Sequence, residues 1–432
     1  MLTLLAFGMV ATFMVLIMTG RVSALVALIL VPVAFGVAAG FGADLGKMML
    51  EGVKTLAPTG VMLAFAILYF GLMTDAGLFD PLVRAIVRLV HGDPVRIVVG
   101  SAVLALLVSL DGDGSTTYLI CCTAMVPLYR RMGLNPLILA CLLMLACGIT
   151  NITPWGGPTA RAASALHLEA ADLFVPMLPA MAAGAAALIG LALVLGRAER
   201  RRLGTLSPVA EQDMVEDLVA ENDRTERPAL FLVNLTLTAT LMVALVSGAL
   251  PLPILFMLAS AAALLINYPS LEAQKGRIAA HAPNILPVIT LIFAAGIFTG
   301  ILNGTGMTDA MAGSVVGLIP PQAGPFLAPI TGLISMPFTF FVSNDAFFFG
   351  ILPILAEAGQ AYGIAPVEIG RAALTSQAVH LLSPLVPSTY LLVGLVRVEL
   401  AAHQAFTLPF AIGLSLVILV ASMVTGVVPL TT

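Results

Sequence analysis

Residues 151–161 read Asn151-Ile152-Thr153-Pro154-Trp155-Gly156-Gly157-Pro158-Thr159-Ala160-Arg161. They interrupt an apolar stretch, 136–168, that is long enough to cross a bilayer. Two prolines remove backbone donors, and two adjacent glycines accept non-helical dihedrals. Irregular backbone at membrane depth is tolerated only where it lines a polar cavity or is buried in protein. The pattern predicts a helix that stops near Asn151 and restarts near Thr159, with Pro158 at a favoured first position. The unpaired N–H groups and positive dipole end of that restart suit an anion. A second stretch, 366–398, is broken in the same way at Ser383-Pro384-Leu385-Val386-Pro387-Ser388-Thr389. The alternative for each is a simple proline kink.

The rest of the 432 residues set the context: 60% are hydrophobic and 10% charged, with a mean hydropathy of +1.07. Soluble domains carry about a quarter charged residues, so a soluble enzyme and a disordered chain are excluded. With 19 Lys+Arg against 23 Asp+Glu, no basic surface exists for nucleic acid. The apolar runs are long and continuous, unlike the alternating segments of a membrane barrel. The fold class expected is therefore an all-α polytopic membrane protein. The N-terminus has no basic lead, and Leu2–Thr19 reads as a crossing rather than a cleaved leader. Cys121, Cys122, Cys141 and Cys147 form no zinc spacing and read as small buried hydrophobes.

Ten crossings are expected: 2–19, 23–41, 56–76, 136–168, 174–196, 229–249, 251–267, 284–302, 366–398 and 404–428. The runs on either side of Asp111-Gly112-Asp113-Gly114, and those flanking Ser343-Asn344-Asp345, are too short to cross. Segments 95–129 and 324–357 are therefore expected to be re-entrant hairpins. With the N-terminus outside and both hairpins returning to their own side, fifteen of the 19 Lys+Arg fall in the cytoplasm. Only Lys47 and Lys54 fall outside, while Arg161 and Arg371 lie in the membrane region. Making either hairpin a full crossing destroys this positive-inside bias. Segment 197–228, with Arg200-Arg201-Arg202 and many acids, is expected to be a cytoplasmic linker. Segments 78–92 and 305–318 are expected to be surface helices.

The two halves, 1–196 and 229–432, match in order. Met73-Thr74-Asp75-Ala76 recurs as Met307-Thr308-Asp309-Ala310 at an offset of 234, as do Ser109 and Asp111 in Ser343 and Asp345. At an offset of 230, Pro154, Thr159, Glu169 and Leu178-Pro179 match Pro384, Thr389, Glu399 and Leu408-Pro409. Five crossings per half is odd, so the halves are expected to be inverted, as in secondary transporters with a midplane site.

The hairpin tips concentrate polar groups. Ser109-Leu110-Asp111-Gly112-Asp113-Gly114-Ser115-Thr116-Thr117 carries two carboxylates. One Asp at the bilayer centre costs about 2.5–3.5 kcal/mol on insertion scales, so a bound cation, a proton or a capped helix end is expected to compensate. Capping by Asp113 or Ser115 is the plain alternative. Ser343-Asn344-Asp345 is read the same way. Arg161 is the one fixed cation beside a break; it pairs with a substrate carboxylate, snorkels, or pairs with a protein carboxylate. Arg371 is expected in a structural ion pair. His380, one turn before the second break, either carries a proton or is a neutral helix residue. Asp75 and Asp309 are expected in matched capping or hinge roles, and Glu169 and Glu399 in loops. Trp155 either shapes the cavity or packs.

Segments 109–117, 151–162 and 343–345 together resemble the citrate–metal/proton symporters of the ion transporter superfamily, over essentially the whole chain. More distantly, the layout is similar to divalent-anion/sodium symporters with Ser-Asn-Thr tips. Here Asp345 replaces the Thr, and Asp111 and Asp113 have no counterpart. The resemblance implies proton-coupled import of citrate bound to a divalent metal, Mg²⁺ or Ca²⁺, with no permanent cofactor. It also implies a homodimer, an elevator-like moving domain and a bacterial cytoplasmic membrane. On this reading Asp111, Asp113 and Asp345 face the metal. Substrate contacts fall to Ser109, Ser115, Thr116, Asn151, Thr153, Gly156, Gly157, Thr159, Arg161, Ser343, Asn344, Ser383, Ser388 and Thr389. Asp111, Asp113 and His380 are the proton-coupling candidates. The rival is a carrier of free citrate, another di- or tricarboxylate, or gluconate. A channel and an intramembrane protease fit less well: the protease motifs are missing.

Overall fold

The computed structural model describes residues 2–431 except 20, 79, 80, 82–92, 113, 204–227, 318, 319 and 321. The described residues are helical, with no strand among them. The first half contains α1 (Leu2–Met18), α2 (Ala24–Ala38), α3 (Leu45–Asp75), α4 (Pro94–Val108), α5 (Gly114–Met132), α6 (Pro136–Thr150), α7 (Gly157–Leu166), α8 (Ala170–Phe174) and α9 (Leu178–Leu203). The second contains α10 (Pro228–Val246), α11 (Leu252–Asn267), α12 (Leu271–Gly304), α13 (Met307–Val316), α14 (Leu327–Phe341), α15 (Leu352–Gln360), α16 (Pro366–Leu374), α17 (Gln377–His380), α18 (Pro387–Val396) and α19 (Leu400–Val424). Side-chain caps start several of them. Ser23, Asp93, Asn135 and Ser270 accept from Val26, Val95, Leu137 and Ala273, which satisfies N–H groups that a helix cannot.

Among the described residues, five segments are long and apolar enough to span a membrane by themselves: Leu45–Asp75, Ala170–Leu203, Leu271–Gly304, Gly324–Phe341 and Leu400–Val424. Two are longer than expected. The crossings expected at 56–76 and 284–302 begin at Leu45 and Leu271. Charged side chains do not stop a helix that has left the hydrocarbon; Glu51 and Lys54 pair at 3.2 Å on its polar extension. The expected linker begins inside α9, which runs to Leu203; residues 204–227 lie outside the described set. Most of the expected surface helix at 78–92 also lies outside it, while its counterpart is α13.

The Met-Thr-Asp-Ala match does not place its aspartates equivalently. Asp75 ends α3, whereas Asp309 sits in the first turn of a new helix. Asp75 also neither caps nor hinges: it accepts from His281 at 2.8 Å and from Arg277 at 3.3 Å, bracing α3 against the start of α12. Arg371 likewise departs from expectation. Its guanidinium is held by backbone carbonyls, Asp172 at 2.7 and 3.1 Å and Val427 at 3.3 Å, rather than by a carboxylate.

A seam of small residues holds the frame. A Cβ on Gly52 would overlap the carbonyl oxygen of Gly296, and one on Gly300 that of Met48. Gly60 meets Phe293 and Gly71 meets His281, so α3 and α12 run antiparallel. Gly296, Gly300 and Gly304 recur every fourth residue, the spacing that lets two backbones touch in lipid. α2 packs on α12, and α11 on α3.

Around this frame stand the two tip-bearing segments, α4–α5 and α14–α15, and the two broken helices. The breaks match closely. α6 and α7 begin at 136 and 157, and α16 and α18 at 366 and 387, so both starts are 230 apart. His167 and Arg397, also 230 apart, are the non-glycine residues with positive φ among the described residues, at 54° and 62°. Each ends its restarted helix in a left-handed cap. Gly148 and Ala378, again 230 apart, pack against each other: a Cβ on Gly148 would lie 2.7 Å from the Ala378 Cα.

An ionic clasp closes one end of α4 and α9. Asp93 accepts from both Nε and Nη2 of Arg200, and Arg96 stands 4.0 Å away. Glu199 accepts from Arg202 and from the Asn135 backbone. Burial pushes the Asp93 carboxyl up, but Arg200, the Val95 N–H and Arg96 outweigh it and hold the group below the ordinary carboxylate range. The clasp therefore contributes stability in full above the ordinary Asp pKa and loses it as pH falls through the depressed one. Two outcomes are expected. Asp93→Asn flattens the fall in Tm of the detergent-solubilised protein below about pH 4, near the ordinary Asp value. Gly52→Ala lowers stability by about 1–3 kcal/mol through overpacking, whereas Gly46→Ala, on the same helix with open space around it, leaves the Tm unchanged.

Candidate functional site

Both breaks are closed by short-range backbone bonds. In the first, Thr153 N–H donates to Thr150 and Gly156 N–H to Thr153, at 2.9 and 2.8 Å. In the second, Ser383 donates to His380 at 2.8 Å and Val386 to Ser383 at 3.1 Å. Gly156 is required: a Cβ there would overlap the Asn151 carbonyl oxygen. A threonine one turn into each restart pins the loop. Thr159 Oγ1 donates to Ile152 O at 2.9 Å, and Thr389 Oγ1 to Leu381 O at 2.5 Å. Their hydroxyl protons are thus engaged within the fold, and both side chains are fully buried. Neither restart has a side-chain cap; Gly156 and Val386 occupy those positions. Both N-termini therefore present N–H groups to the break.

The tips meet the breaks crosswise. The second tip rests on the first broken helix: Arg161 Nε of α7 donates to Asp345 Oδ1 at 2.5 Å, and α7 packs on the π-helical turn Ala346–Ile351. The first tip leans on both breaks. Trp155 Nε1 donates to Leu110 O at 2.9 Å, and a Cβ on Gly114 would lie 3.4 Å from Ser388 Oγ. Gly112, at φ 79°, makes the turn, and any side chain there would strike Trp155. α18 packs on α5. Trp155 also stacks among Phe70 of α3, Phe256 of α11 and Phe174, so it both shapes this junction and packs on the frame.

The Arg161–Asp345 pair is partly open: the side chains are 23% and 18% exposed. His380 is buried beside it, close enough for both charges to act on its ring, with Nδ1 2.8 Å from the Thr339 carbonyl oxygen. Among the described residues, Thr153 Oγ1 in the first break, Asn344 Oδ1 beside Asp345 in sequence, and both amide atoms of Gln377, one turn before His380, are buried without a hydrogen-bond partner. Such atoms are costly unless a ligand or water satisfies them.

The other expected site residues are placed as follows. Ser109 is buried and donates back to Leu106 O at 3.4 Å. Ser343 accepts from Ala346 N–H at 3.2 Å, and Ser383 from Leu385 N–H at 3.2 Å, so both serve the turns they stand in. Asn151 caps the end of α6, and Ser115 and Thr116 lie half-buried in the first turn of α5. Asp113 and the side chain of Asp111 lie outside the described residues. Among the described residues no three His, Cys, Asp or Glu side chains converge as a resident metal site. Asp345 is engaged by Arg161 rather than standing alone toward a cation.

The sequence pattern of the family described as "Citrate transporter" matches residues 13–376. The chain belongs to the citrate transporter family. It is 55% identical to the "Citrate transporter" of Bacillus subtilis (strain 168) over 428 residues, 99% of this chain and 100% of that one. It is 52% identical to that organism's "Mg(2+)/citrate complex secondary transporter" over 413 residues, 95% of each. Among solved structures, the fold is similar to the Alcanivorax borkumensis YdaH transporter, with a TM-score of 0.64, 16% identity, and 91% of this chain and 90% of that one covered. It is also similar to Neisseria gonorrhoeae MtrF, with a TM-score of 0.65, 15% identity and 91% and 86% coverage. As a member of the citrate transporter family the chain is a multi-pass membrane transporter and not an enzyme.

Within this citrate transporter, sequence reading passed over two features. Gln377 is an uncharged amide in an apolar run, and only its burial without partners exposes it. The Thr339 carbonyl that fixes the His380 ring is backbone and leaves no trace in residue type. Arg161→Gln and Asp345→Asn each leave one charge uncompensated, so each is expected to lower the Tm. The double variant regains most of that loss, because breaking a pair costs more than deleting it. Uptake in the double variant stays reduced about tenfold or more, the loss of one charge-assisted contact of about 1.5–3 kcal/mol. Tm and labelled-citrate uptake, measured on all four proteins, check this.

Proposed function

We propose that this chain is a proton-coupled secondary transporter that imports citrate as its complex with a divalent metal, Mg²⁺ or Ca²⁺. The observation that carries the reading is the Arg161–Asp345 ion pair at the junction of the second tip and the first break. A ligand entering there must separate two opposite charges. Free citrate compensates Arg161 but sets its carboxylates against Asp345. A metal–citrate complex supplies both signs: its cation faces Asp345, and its free carboxylate faces Arg161 and the restarted helix ends. Asp111 and Asp113 add to the cation side and Asn344 and Thr153 to the polar lining. The relative bearing the Mg²⁺/citrate name supports the same class of substrate.

On this proposal the two halves are inverted repeats, with α4–α5 and α14–α15 as re-entrant hairpins. The recurrence of breaks and left-handed caps at one offset supports it. So does the contact of Gly148 with Ala378, since residues related by a two-fold axis meet each other on it. The hairpins and broken helices move as a body against the α3–α12 frame in an elevator-type cycle, and Trp155 slides on Phe70 and Phe256. His380, in electrostatic reach of the ion pair, takes the coupled proton when the pair opens. The bacterial inner membrane is its location, and a homodimer its assembly.

The test is uptake of labelled citrate into proteoliposomes. Mg²⁺ or Ca²⁺ is expected to raise the rate, EDTA to abolish it, and an imposed inward proton gradient to drive accumulation. Equal uptake of free citrate, or counterflow with gluconate or a metal-free dicarboxylate at the same rate, overturns the metal-complex reading. Indifference to the pH gradient overturns the coupling.

A further inference from the structure

A cavity of about 350 Å³ lies away from the junction of tips and breaks, at the far ends of α5 and α18. It is lined by Val126 and Arg130 of α5, Leu134 and Leu139 around the start of α6, and Val396 and Arg397 at the end of α18. The main packing partners of α5 are α4, α6 and α18, and those of α18 are α5, α6 and α19. This flank therefore points away from the α3–α12 frame. Each helix carries an exposed stripe that ends in an arginine. On α5 the stripe is Leu119, Thr123, Val126 and Arg130; on α18 it is Tyr390, Gly394 and Arg397. The spacing of three and four residues puts each set on one helical face. Leu119 is 54% and Tyr390 49% exposed, which suits contact with hydrocarbon. Among the described residues neither Arg130 nor Arg397 has a hydrogen bond or ion pair, and no carboxylate lines the cavity.

We infer that this cavity holds an anionic phospholipid. Its acyl chains lie along the two apolar stripes, and its headgroup phosphate sits between the Arg130 and Arg397 guanidiniums. Three features converge on that occupant. The walls are apolar where a tail would run. The only charged side chains in the lining are two cations, at its rim. Both arginines belong to the side on which the chain's cations concentrate, where anionic headgroups attract them. Arginine is suited to the phosphate because its planar donors engage two oxygens at once. A small soluble phosphate satisfies the same charges but leaves the adjoining apolar stripes without a role.

The full-length protein, delipidated in detergent, tests the assignment by native mass spectrometry and thermal melting. Phosphatidylglycerol is expected to be retained and to raise the Tm, while phosphatidylcholine and glycerol phosphate do neither. Arg130→Gln combined with Arg397→Gln is expected to lower phosphatidylglycerol retention about tenfold or more and leave citrate binding unchanged. Val126→Trp, which fills the cavity and keeps both guanidiniums, gives the same loss and serves as the readout if the double variant folds poorly. Equal retention of phosphatidylglycerol and phosphatidylcholine overturns the proposal. Protection by glycerol phosphate equal to that by the lipid overturns it too, in favour of a soluble-anion site. Wild-type retention by either variant also overturns it.

Discussion

Backbone groups cannot be left open in hydrocarbon, and this structure is organised around two places where the helical ladder stops within an apolar stretch. Each break keeps its own accounts through i to i−3 bonds and one threonine hydroxyl that reaches back to a carbonyl. What remains unspent is the set of N–H groups at the restart, because Gly156 and Val386 offer no capping oxygen. A capping serine at either position would engage one of those donors. The chain uses caps freely elsewhere, at Ser23, Asp93, Asn135 and Ser270. Other helix starts, at Asp44, Pro251 and Glu399 among them, also lack a side-chain cap; what sets the breaks apart is that their open donors face a loop inside an apolar stretch.

The second constraint is charge. Arg161 and Asp345 come from opposite halves of the chain, 184 residues apart, and each sits on an element that has lost its regular helix: α7 restarts after a break, and Asp345 precedes a π-turn. A pair of this kind is weak as a source of stability, because desolvation offsets most of the attraction. On the proposal that the substrate enters here, it is strong as a selector. Whatever separates the two groups must replace both interactions at once, which ties the chemistry of the ligand to a property of the empty site. On the same proposal, His380, bonded to the Thr339 carbonyl, is the group that senses the pair. Opening the pair changes the field at the ring without needing the ring to move.

Much of this was legible from residue order because the signals are stereochemical. Proline and glycine at 154–158, and the two prolines at 384–387, forbid a continuous helix whatever surrounds them, and the first break falls within a residue or two of where they predict; the second stretch is interrupted earlier as well, at Thr375-Ser376, which residue type did not announce. The family resemblance read from 109–117, 151–162 and 343–345 is met by the match over 13–376 and by relatives at 55% and 52% identity. Less legible were the places decided by partners distant in sequence. Residue type announced that Arg161 needed an anion but not which one. Asp75 and Asp309 share a tetrapeptide yet occupy the end of one helix and the start of another, since composition-biased apolar sequence produces short coincidences. Arg371 is held by the carbonyls of Asp172 in α8 and Val427 in the turn after α19, backbone partners that residue type does not announce. The lengths of α3 and α12 were missed because charge marks the edge of the hydrocarbon, not the end of a helix.

The crosswise seating of tips on breaks has a consequence for motion. If each tip touched only its own half, the halves would be free to shift separately, and the site would open whenever either did. Here the second tip is bound to the first broken helix through Arg161–Asp345, and the first tip abuts the second through Gly114 and Ser388. Gly148 against Ala378 closes the arrangement at its centre, with contacts too short for an added methyl group. The four elements are therefore coupled by packing into one body. That body meets the frame through Trp155 against Phe70 and Phe256, through α7 packed on α3 and α12, and through the Asn303–His167 hydrogen bond at 2.7 Å. The frame itself is locked by backbone-to-backbone contact at Gly52, Gly296 and Gly300. On the elevator-type cycle proposed above, rigid seams inside each body let the site travel without coming apart, and the contacts between the bodies are the ones that must be exchanged.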